Sequence, residues 1–232
     1  MEALWEGLRE AIRLIATGDA QLRDIALRTV LVSGCATLVA MALGVPLGYW
    51  LARTRFPGRP IILALVNTGM GVPPVVVGLV VWLMLTRSGP LGGLDLIYTQ
   101  RAMVIAQILI SLPLVAGFTV AAVQALPPEL PELLQMLGAG RIRSLWLLSK
   151  EAQLGLLAAV MAGFGAVISE VGASMAVGGN LKDHTRVLTT AIVTETSRGE
   201  NGNAMALGII LLALAFAVNL VLTFAQQRSR HS

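Results

Sequence analysis

The chain has 232 residues, of which 56% are hydrophobic and only 13% are charged, and its mean hydropathy is +0.77. Soluble domains average about 25% charged residues, so this chain has too few polar side chains to cover the surface of a soluble protein. The net charge of +4 does not indicate nucleic-acid binding, because the basic residues lie between apolar segments, where they set membrane topology. Composition therefore excludes soluble enzymes, disordered proteins and nucleic-acid-binding proteins, and it leaves a membrane protein.

Residues Met1–Thr17 are predicted to form an amphipathic helix that ends at Gly18, because apolar residues recur at helical spacing and charged residues take the other face. Early acidic residues and the lack of an uninterrupted apolar core argue against a signal peptide. Such a helix either lies in the membrane interface or packs on another part of the same protein. The predicted domains are an interfacial helix over residues 1–18 and a transmembrane domain over residues 25–227.

Five apolar segments follow and predict five membrane-spanning helices. The stretches Thr29–Leu51, Pro60–Thr86, Ala102–Pro128 and Asn201–Gln227 contain no Asp, Glu, Lys or Arg, and Ala152–Leu181 contains one acid, Glu170. Each is longer than the ~20 residues that a helix needs to cross about 30 Å of hydrocarbon. The predicted spans cover residues 27–51, 60–86, 102–126, 153–177 and 203–227. The fold prediction is an all-α membrane protein with five transmembrane helices and an N-terminal amphipathic helix.

Charge alone gives a weak preference for the orientation. With the N-terminus outside, the cytoplasmic segments hold eight of the 17 basic residues and the outer segments hold the other nine. The connection Arg53–Arg59 places three arginines between two span ends, and this local density slightly favours the N-terminus outside.

The longest segment outside the predicted spans, residues 127–151, is predicted to form two short helices joined by a glycine-containing corner at residues 138–140. Leucines at helical spacing form an apolar stripe on the first helix. Recognition of a helix in a groove uses such apolar anchors flanked by charge. The segment is therefore interpreted as a docking element, with a re-entrant or merely solvated loop as the alternative.

The sequence contains no pattern for catalysis or metal binding. It has no Gly-rich phosphate loop followed by Lys-Ser/Thr, and no Ser/His/Asp set lies together. His184 and His231 are far apart, and the single cysteine, Cys35, provides neither a disulfide nor a thiol cluster. We therefore predict no catalytic residue and no metal site.

Glu170 is a candidate functional residue, because a carboxyl group inside an apolar span is costly and usually faces the bundle interior or water. It has three possible roles: a proton or cation site, a structural hydrogen-bonding centre, or a carboxyl group near a gate. The five apolar stretches contain no second acid, base or histidine, so a structural or gating role is favoured over a proton relay.

Pro73 and Pro74 remove two backbone donors from the second predicted span and should break its helix. A broken helix is tolerated in a membrane only where protein or a water-filled path surrounds it. The break therefore marks either the substrate route or a kink made for packing.

Taken together, these motifs resemble those of ABC importer permeases. The loop 127–151 resembles their cytoplasmic EAA loop, whose pattern has Glu-Ala-Ala followed three residues later by Gly. Glu132 and Gly138 match that pattern, whereas Leu133 and Leu134 replace the two alanines. The later Ile-x-Leu-Pro of the family is absent.

Other segments resemble the molybdate and tungstate permeases within that family. Residues 73–78 are similar to their second-helix motif, and residues 169–173 with 178–180 are similar to their Glu-Phe-Gly-Ala…Gly-Asn stretch. Residues 186–192 are similar to the helix that follows it. The resemblance covers essentially the whole chain and is greatest to the tungstate transporter permease.

The resemblance implies a type I ABC importer permease fold in the cytoplasmic (inner) membrane, with the loop inside and the N-terminus outside. It implies a homodimer, two ABC ATPase subunits that carry ATP and Mg, and an extracytoplasmic oxyanion-binding protein; the chain itself would bind no cofactor. The implied function is import of an oxyanion, tungstate above all, with molybdate or sulfate as alternatives.

The resemblance also assigns residues to two sites. The predicted ATPase-coupling residues are Glu132, Leu133, Leu134, Met136, Leu137, Gly138, Ala139 and Arg141. Candidates for the pathway or its gates, chosen as breaks or as polar donors, are Asn67, Pro73, Pro74, Glu170, Asn180, Thr189 and Thr190.

Two other classes of function compete with this one. An ion-coupled secondary transporter or channel would work alone, but five spans do not divide into two repeats and no paired repeat is visible. A structural membrane scaffold would use the loop merely to recruit a partner. Neighbouring genes for a binding protein and an ATPase would distinguish the three.

Overall fold

The structure is a computed structural model that describes residues 2–228, without the side chains of residues 2–4, 6, 14, 131, 135, 141, 142, 225 and 228. Within that range the chain forms eleven α-helices and one 3-10 turn, and the described residues contain no β-strand. The helices are α1 (Glu2–Ala16), α2 (Ala20–Arg53), α3 (Arg59–Gly71), α4 (Pro74–Leu85), α5 (Gln100–Gln124), α6 (Leu130–Met136), α7 (Arg141–Glu151), α8 (Gln153–Ile168), α9 (Gly172–Gly178), α10 (Leu188–Ser197) and α11 (Asn201–Arg228). The all-α prediction is confirmed.

Helix α1 packs along α11 through small residues. A Cβ atom at Gly7 would overlap the Met205 side chain, and Ala11 is buried. The large apolar side chains of α1 are exposed: Trp5, Leu8, Ile12 and Ile15. The helix thus packs on another part of the same protein, one of the two alternatives that the sequence left open, and the location of its outward apolar side in the membrane interface stays a prediction.

Three helices, α2, α5 and α11, are long and apolar enough to cross a membrane by themselves. The segment 60–86, predicted as one span, forms two helices, because α3 and α4 meet at an angle of 104°. Helices α7 and α8 form a second pair, bent by 70°, and the described chain has up to five spans if each bent pair counts as one. The predicted span 153–177 is also interrupted, since residues 169–171 separate α8 from α9.

The core lies where α2, α5 and α8 meet, with α4 and α9 packed at one side. Glycines on α2 allow a close approach to α5. A Cβ atom at Gly48 would lie 2.5 Å from the Ala116 carbonyl oxygen and 2.7 Å from Thr119 Cβ, and one at Gly44 would lie 3.0 Å from Val115 Cγ1. Small residues four apart commonly make such contacts between membrane helices.

Hydrogen bonds between distant segments show which loops share an end of the bundle. The Arg28 guanidinium on α2 donates to the carbonyl oxygens of Asp183 and Arg186, at 2.8 Å each, so the segment after α9 lies beside the start of α2. The turn 54–58 and the loop 127–151 follow the other ends of α2 and α5. We call these the N-terminal end and the loop end.

We expect Gly48→Val to destabilise the protein, because the new side chain cannot fit between Gly48 and the backbone of Ala116. Overpacking of this kind costs about 1–3 kcal/mol. Thermal unfolding of the detergent-purified protein measures the loss. Gly34→Val is the matched control on the same helix, since no atom lies within 4 Å of a Cβ atom there; equal melting temperatures for the two variants would contradict the packing assignment.

Candidate functional site

The two segments singled out by sequence, around Pro73 and around Glu170, lie against each other. Gly78 on α4 faces Ala173 on α9 so closely that a Cβ atom at Gly78 would overlap the Ala173 backbone. A Cβ atom at Gly172 would lie 3.2 Å from Val75 Cβ. The fold therefore brings the two helix breaks into one place, the break junction, formed by residues 72–78 and 169–173.

The proline pair begins a helix. Pro73 is the N-cap residue of α4 and its carbonyl oxygen accepts the N–H of Val76 at 2.9 Å. Pro74 occupies the first helical position, where a backbone N–H has no intrahelical partner anyway. The prolines thus lie where α3 has ended and α4 begins, and they change the chain direction without leaving an extra backbone donor unpaired.

Glu170 is 7% exposed and holds the start of α9. Its Oε1 accepts the backbone N–H of Ala173 at 2.6 Å, and its backbone carbonyl accepts the hydroxyl of Thr189 at 2.9 Å. A carboxylate that accepts an N–H in the first turn stabilises a helix as an N-cap side chain does. Among the described residues, neither of the two ion pairs includes Glu170. This geometry is consistent with the structural one of the two roles, structural or gating, that the sequence favoured.

The other predicted polar candidates differ in their surroundings. Thr189 and Thr190 are buried, and Thr190 Oγ1 bonds to both the N–H and the carbonyl of Val187, at 3.1 Å each. Asn180 Nδ2 donates to Thr194 Oγ1 at 2.7 Å. These hydroxyl and amide groups therefore stabilise α10 and the segment before it.

Exposed polar residues lie beside the breaks instead. Asn67 and Thr68 are exposed on α3, and Ser169 is exposed where α8 ends. Asn67 was a predicted candidate, whereas Thr68 and Ser169 were missed, although each is the immediate neighbour of a residue that was chosen. Neutral hydrogen-bonding groups of this kind suit a path for a hydrated anion.

Gln107 is a buried polar residue that the sequence analysis missed. It lies on α5 at 2% exposed, and its Nε2 donates to Ser174 Oγ on α9 at 3.4 Å. Its Oε1 has no hydrogen-bond partner among the described residues. An amide inside an apolar span was the available signal. The Gln107–Ser174 hydrogen bond connects α5, which leads to the loop end, with α9, whose start is capped by Glu170.

The second candidate site is the exposed corner between α6 and α7. Gly138 has φ +78°, a left-handed conformation that favours glycine. The Ala139 N–H donates to the Leu134 carbonyl oxygen at 2.9 Å and closes the end of α6. Met136 and Leu137 project from the corner and are 85% and 76% exposed. Arg141, another predicted coupling residue, has a side chain outside the described set.

The rest of the corner extends the same apolar surface. Glu132 and Leu133 are exposed on α6, and Leu134 and Ala139 are half-buried. Helix α7 adds Trp146, which is 62% exposed and carries Lys150 Nζ at 5.7 Å from its ring centroid. Large exposed apolar side chains concentrated at one corner are typical of a protein docking surface.

Comparison with known proteins assigns the family. Residues 44–231 match the family described as "Binding-protein-dependent transport system inner membrane component". The chain belongs to this family. The resemblance to ABC importer permeases is thereby confirmed, and the permease is a multi-pass membrane protein.

Two relatives and one solved structure are similar over most of the chain. The tungstate uptake system permease protein TupB of Peptoclostridium acidaminophilum is 40% identical over 98% of this chain and 100% of its own length. A probable anion ABC transporter permease of Haloferax volcanii is 38% identical over 89% and 92%. A chain of a bacterial alginate ABC transporter superposes with a TM-score of 0.75 at 19% identity, over 96% of this chain and 86% of that one. The predicted permease fold is confirmed.

We expect Glu170→Gln to keep the permease stable, because the amide oxygen can still accept the Ala173 N–H. Glu170→Leu should lose about 1–3 kcal/mol, because it leaves that N–H unpaired in apolar surroundings. Thermal unfolding in detergent compares the two. Glu200→Leu, an exposed acid on the same chain, is the control and should change stability little. If Gln destabilised as much as Leu, the capping role would be wrong.

Proposed function

We propose that this chain is the membrane-spanning permease subunit of an ABC importer that carries tungstate across the cytoplasmic membrane. The observation that carries the substrate assignment is the 40% identity to a tungstate uptake permease over 98% of the chain. Molybdate and sulfate, which are oxyanions of the same shape and charge, are the competing substrates.

The exposed polar residues beside the break junction support a pathway shared by two copies. Asn67, Thr68 and Ser169 lie within or beside apolar helices and are exposed in the single chain. Polar groups and broken backbone at membrane depth need protein or water around them. A second copy of the chain covering this face would enclose a polar route between the two junctions, so we propose a homodimer with its pore there.

The exposed corner supports docking on a separate ATPase. In this proposal the ATPase subunits bind ATP and Mg, whereas the permease chain binds no cofactor and catalyses no reaction. Met136 and Leu137 would enter a groove on the ATPase as apolar anchors. The glycine at 138 fixes the direction in which they project.

The connection from the corner to the break junction supplies the mechanism. Helix α7 is separated from α8 by Ala152 alone, and α8 ends at Ile168, two residues before Glu170. Movement of the corner by the ATPases would be carried by α8 as a rigid element to the junction, and by α5 from the other side of the loop. Alternating access would follow from such rigid-body movement.

The same proposal sets the orientation. The loop end faces the cytoplasm, where the ATPases are, and the N-terminal end faces outward. A binding protein would deliver the anion to the N-terminal end, close to the segment that Arg28 holds in place. The local density of arginines at Arg53–Arg59 agrees with this direction.

We expect Gly138→Asp to abolish uptake and ATPase association without preventing membrane insertion. Aspartate tolerates φ +78° better than most residues other than glycine. It nevertheless places a charge beside the exposed Met136 and Leu137. Co-purification of the tagged permease with its ATPase, together with uptake by proteoliposomes, measures the effect.

Gly138→Val and Gly140→Val separate the turn geometry from the charge. Gly138 needs a positive φ, whereas Gly140 has φ −64° and open space around it. Valine should therefore weaken ATPase association at position 138 and leave it close to wild type at position 140. Wild-type association of both Gly138 variants would contradict the docking assignment.

We expect uptake by the complete complex in proteoliposomes to require ATP and to be indifferent to an imposed pH gradient. Glu170→Gln should retain substantial uptake, because the amide preserves the cap without titrating. A proton-coupled transporter predicts the reverse: the Gln variant would be inactive and a pH gradient would drive uptake without ATP. Titration of the partner binding protein with tungstate, molybdate and sulfate then tests the substrate.

A further inference from the structure

An apolar groove runs between α2 and α8 near the loop end. It encloses about 540 Å³ and is open to the side of the bundle. Its α2 wall is formed by Met41, Ala42, Val45 and Pro46, and its α8 wall by Gln153, Leu156, Leu157 and Val160. All of these except Gln153 are apolar, so the groove suits a hydrocarbon chain.

The groove leads along α2 to a basic residue at the end of that helix. Positions 42, 46, 49 and 53 repeat at the spacing of one helical face. Tyr49 and Arg53 therefore continue the line of Ala42 and Pro46, and the Arg53 guanidinium lies close to the Tyr49 hydroxyl. At about 1.5 Å per residue, Arg53 lies roughly 10 Å beyond Pro46 along the helix.

Arg53 is available to an external anion. It is half-buried, and neither of the two ion pairs among the described residues includes it. Its neighbour Arg59 is already engaged, because Arg59 Nε donates to the Leu51 carbonyl oxygen at 2.8 Å. Arg55 is exposed in the turn after α2, outside the line of positions 42, 46, 49 and 53.

The surroundings of Arg53 place it at the level of lipid headgroups. Trp50, 44% exposed one turn before it, stacks on Phe56 with ring centroids 4.6 Å apart. Aromatic side chains of this kind concentrate at membrane–water interfaces. The loop end is basic: segments 53–59 and 129–151 hold six basic and three acidic residues.

We propose that this groove and its basic rim bind one anionic phospholipid from the leaflet at the loop end. One acyl chain lies between α2 and α8, and the phosphate pairs with Arg53 beside the Tyr49 hydroxyl. A free inorganic anion would use Arg53 but leave the groove empty, and a zwitterionic lipid would fill the groove but pair less well with Arg53. The lipid packs between α2 and α8, and α8 is the helix that joins the exposed corner to the break junction.

Fluorescence quenching of Trp50 by brominated lipids tests this directly. The chain has four tryptophans, so Trp5, Trp82 and Trp146 are replaced by Phe to leave Trp50 alone. In vesicles holding the complete complex, brominated phosphatidylglycerol should quench Trp50 at about fivefold lower mole fraction than brominated phosphatidylcholine, the preference expected of one basic contact.

Two pairs of variants locate the effect. Arg53→Gln should abolish the preference for phosphatidylglycerol, whereas Arg55→Gln, two residues away, should preserve it. Ala42→Phe, which fills the groove, should reduce quenching by both lipids, whereas Leu43→Phe, on an exposed neighbouring face, should not. Equal quenching by both lipids in the unaltered groove, or equal effects of Arg53→Gln and Arg55→Gln, would overturn the proposal.

A second measurement keeps the natural tryptophans and follows the bound lipid itself. The wild-type complex should retain phosphatidylglycerol through detergent exchange, the Arg53→Gln complex should lose it, and added inorganic phosphate should not displace it. In the single-tryptophan variant, quenching of Trp50 by both lipids in the permease alone but by neither lipid in the complex would mean that protein covers the groove. That result would also overturn the proposal. None of these outcomes depends on the transported substrate, so the proposed function is tested separately.

Discussion

Two interruptions of helix inside apolar segments set the main constraint on this structure. In hydrocarbon each unpaired backbone N–H or C=O costs several kcal/mol, so a break persists only where other groups satisfy it. Here the breaks at 72–73 and 169–171 are packed together, with Gly78 against Ala173. The Glu170 carboxylate accepts a backbone N–H of α9, and Thr189 donates to the Glu170 carbonyl. The only acid in the predicted spans is thus part of what makes the breaks tolerable.

The sequence predicted the elements that depend on local chemistry. Long uncharged segments identify α2, α5 and α11, and Pro73–Pro74 locates the start of α4 because proline fixes φ and lacks an N–H. The bend of 104° was not predictable, since its direction depends on packing against α9, far away in sequence. The role of Asn180 was not predictable either. The sequence identifies it as a possible donor to the anion, whereas in the structure its amide donates to Thr194. Partners distant in sequence leave no periodic signal.

The exposed corner and the break junction belong to one continuous length of chain. From Gly138 the path runs through α7, Ala152 and α8 to Glu170, with a 70° bend between the two helices. A helix is stiff along its axis, whereas a bend of this kind changes the direction of a push. In the proposed mechanism, force applied at the corner along α7 would therefore reach the junction as a displacement along α8. The hydrogen bond from Gln107 to Ser174 also connects α5 to α9, so α5 is a second and weaker mechanical link to the junction.

The polar groups beside the breaks are neutral. Neutral groups suit the passage of an anion better than its tight binding. A doubly charged oxyanion would pair strongly with arginine in low dielectric, and conduction requires binding that is weak enough for release. Asn67, Thr68 and Ser169 offer hydrogen bonds without a counter-charge. The Glu170 carboxylate would repel such an anion, but its Oε1 is bonded to the backbone of α9 and the side chain is buried. In the proposed dimer, the carboxylate supports the wall of the path while the neutral groups of both copies provide its surface.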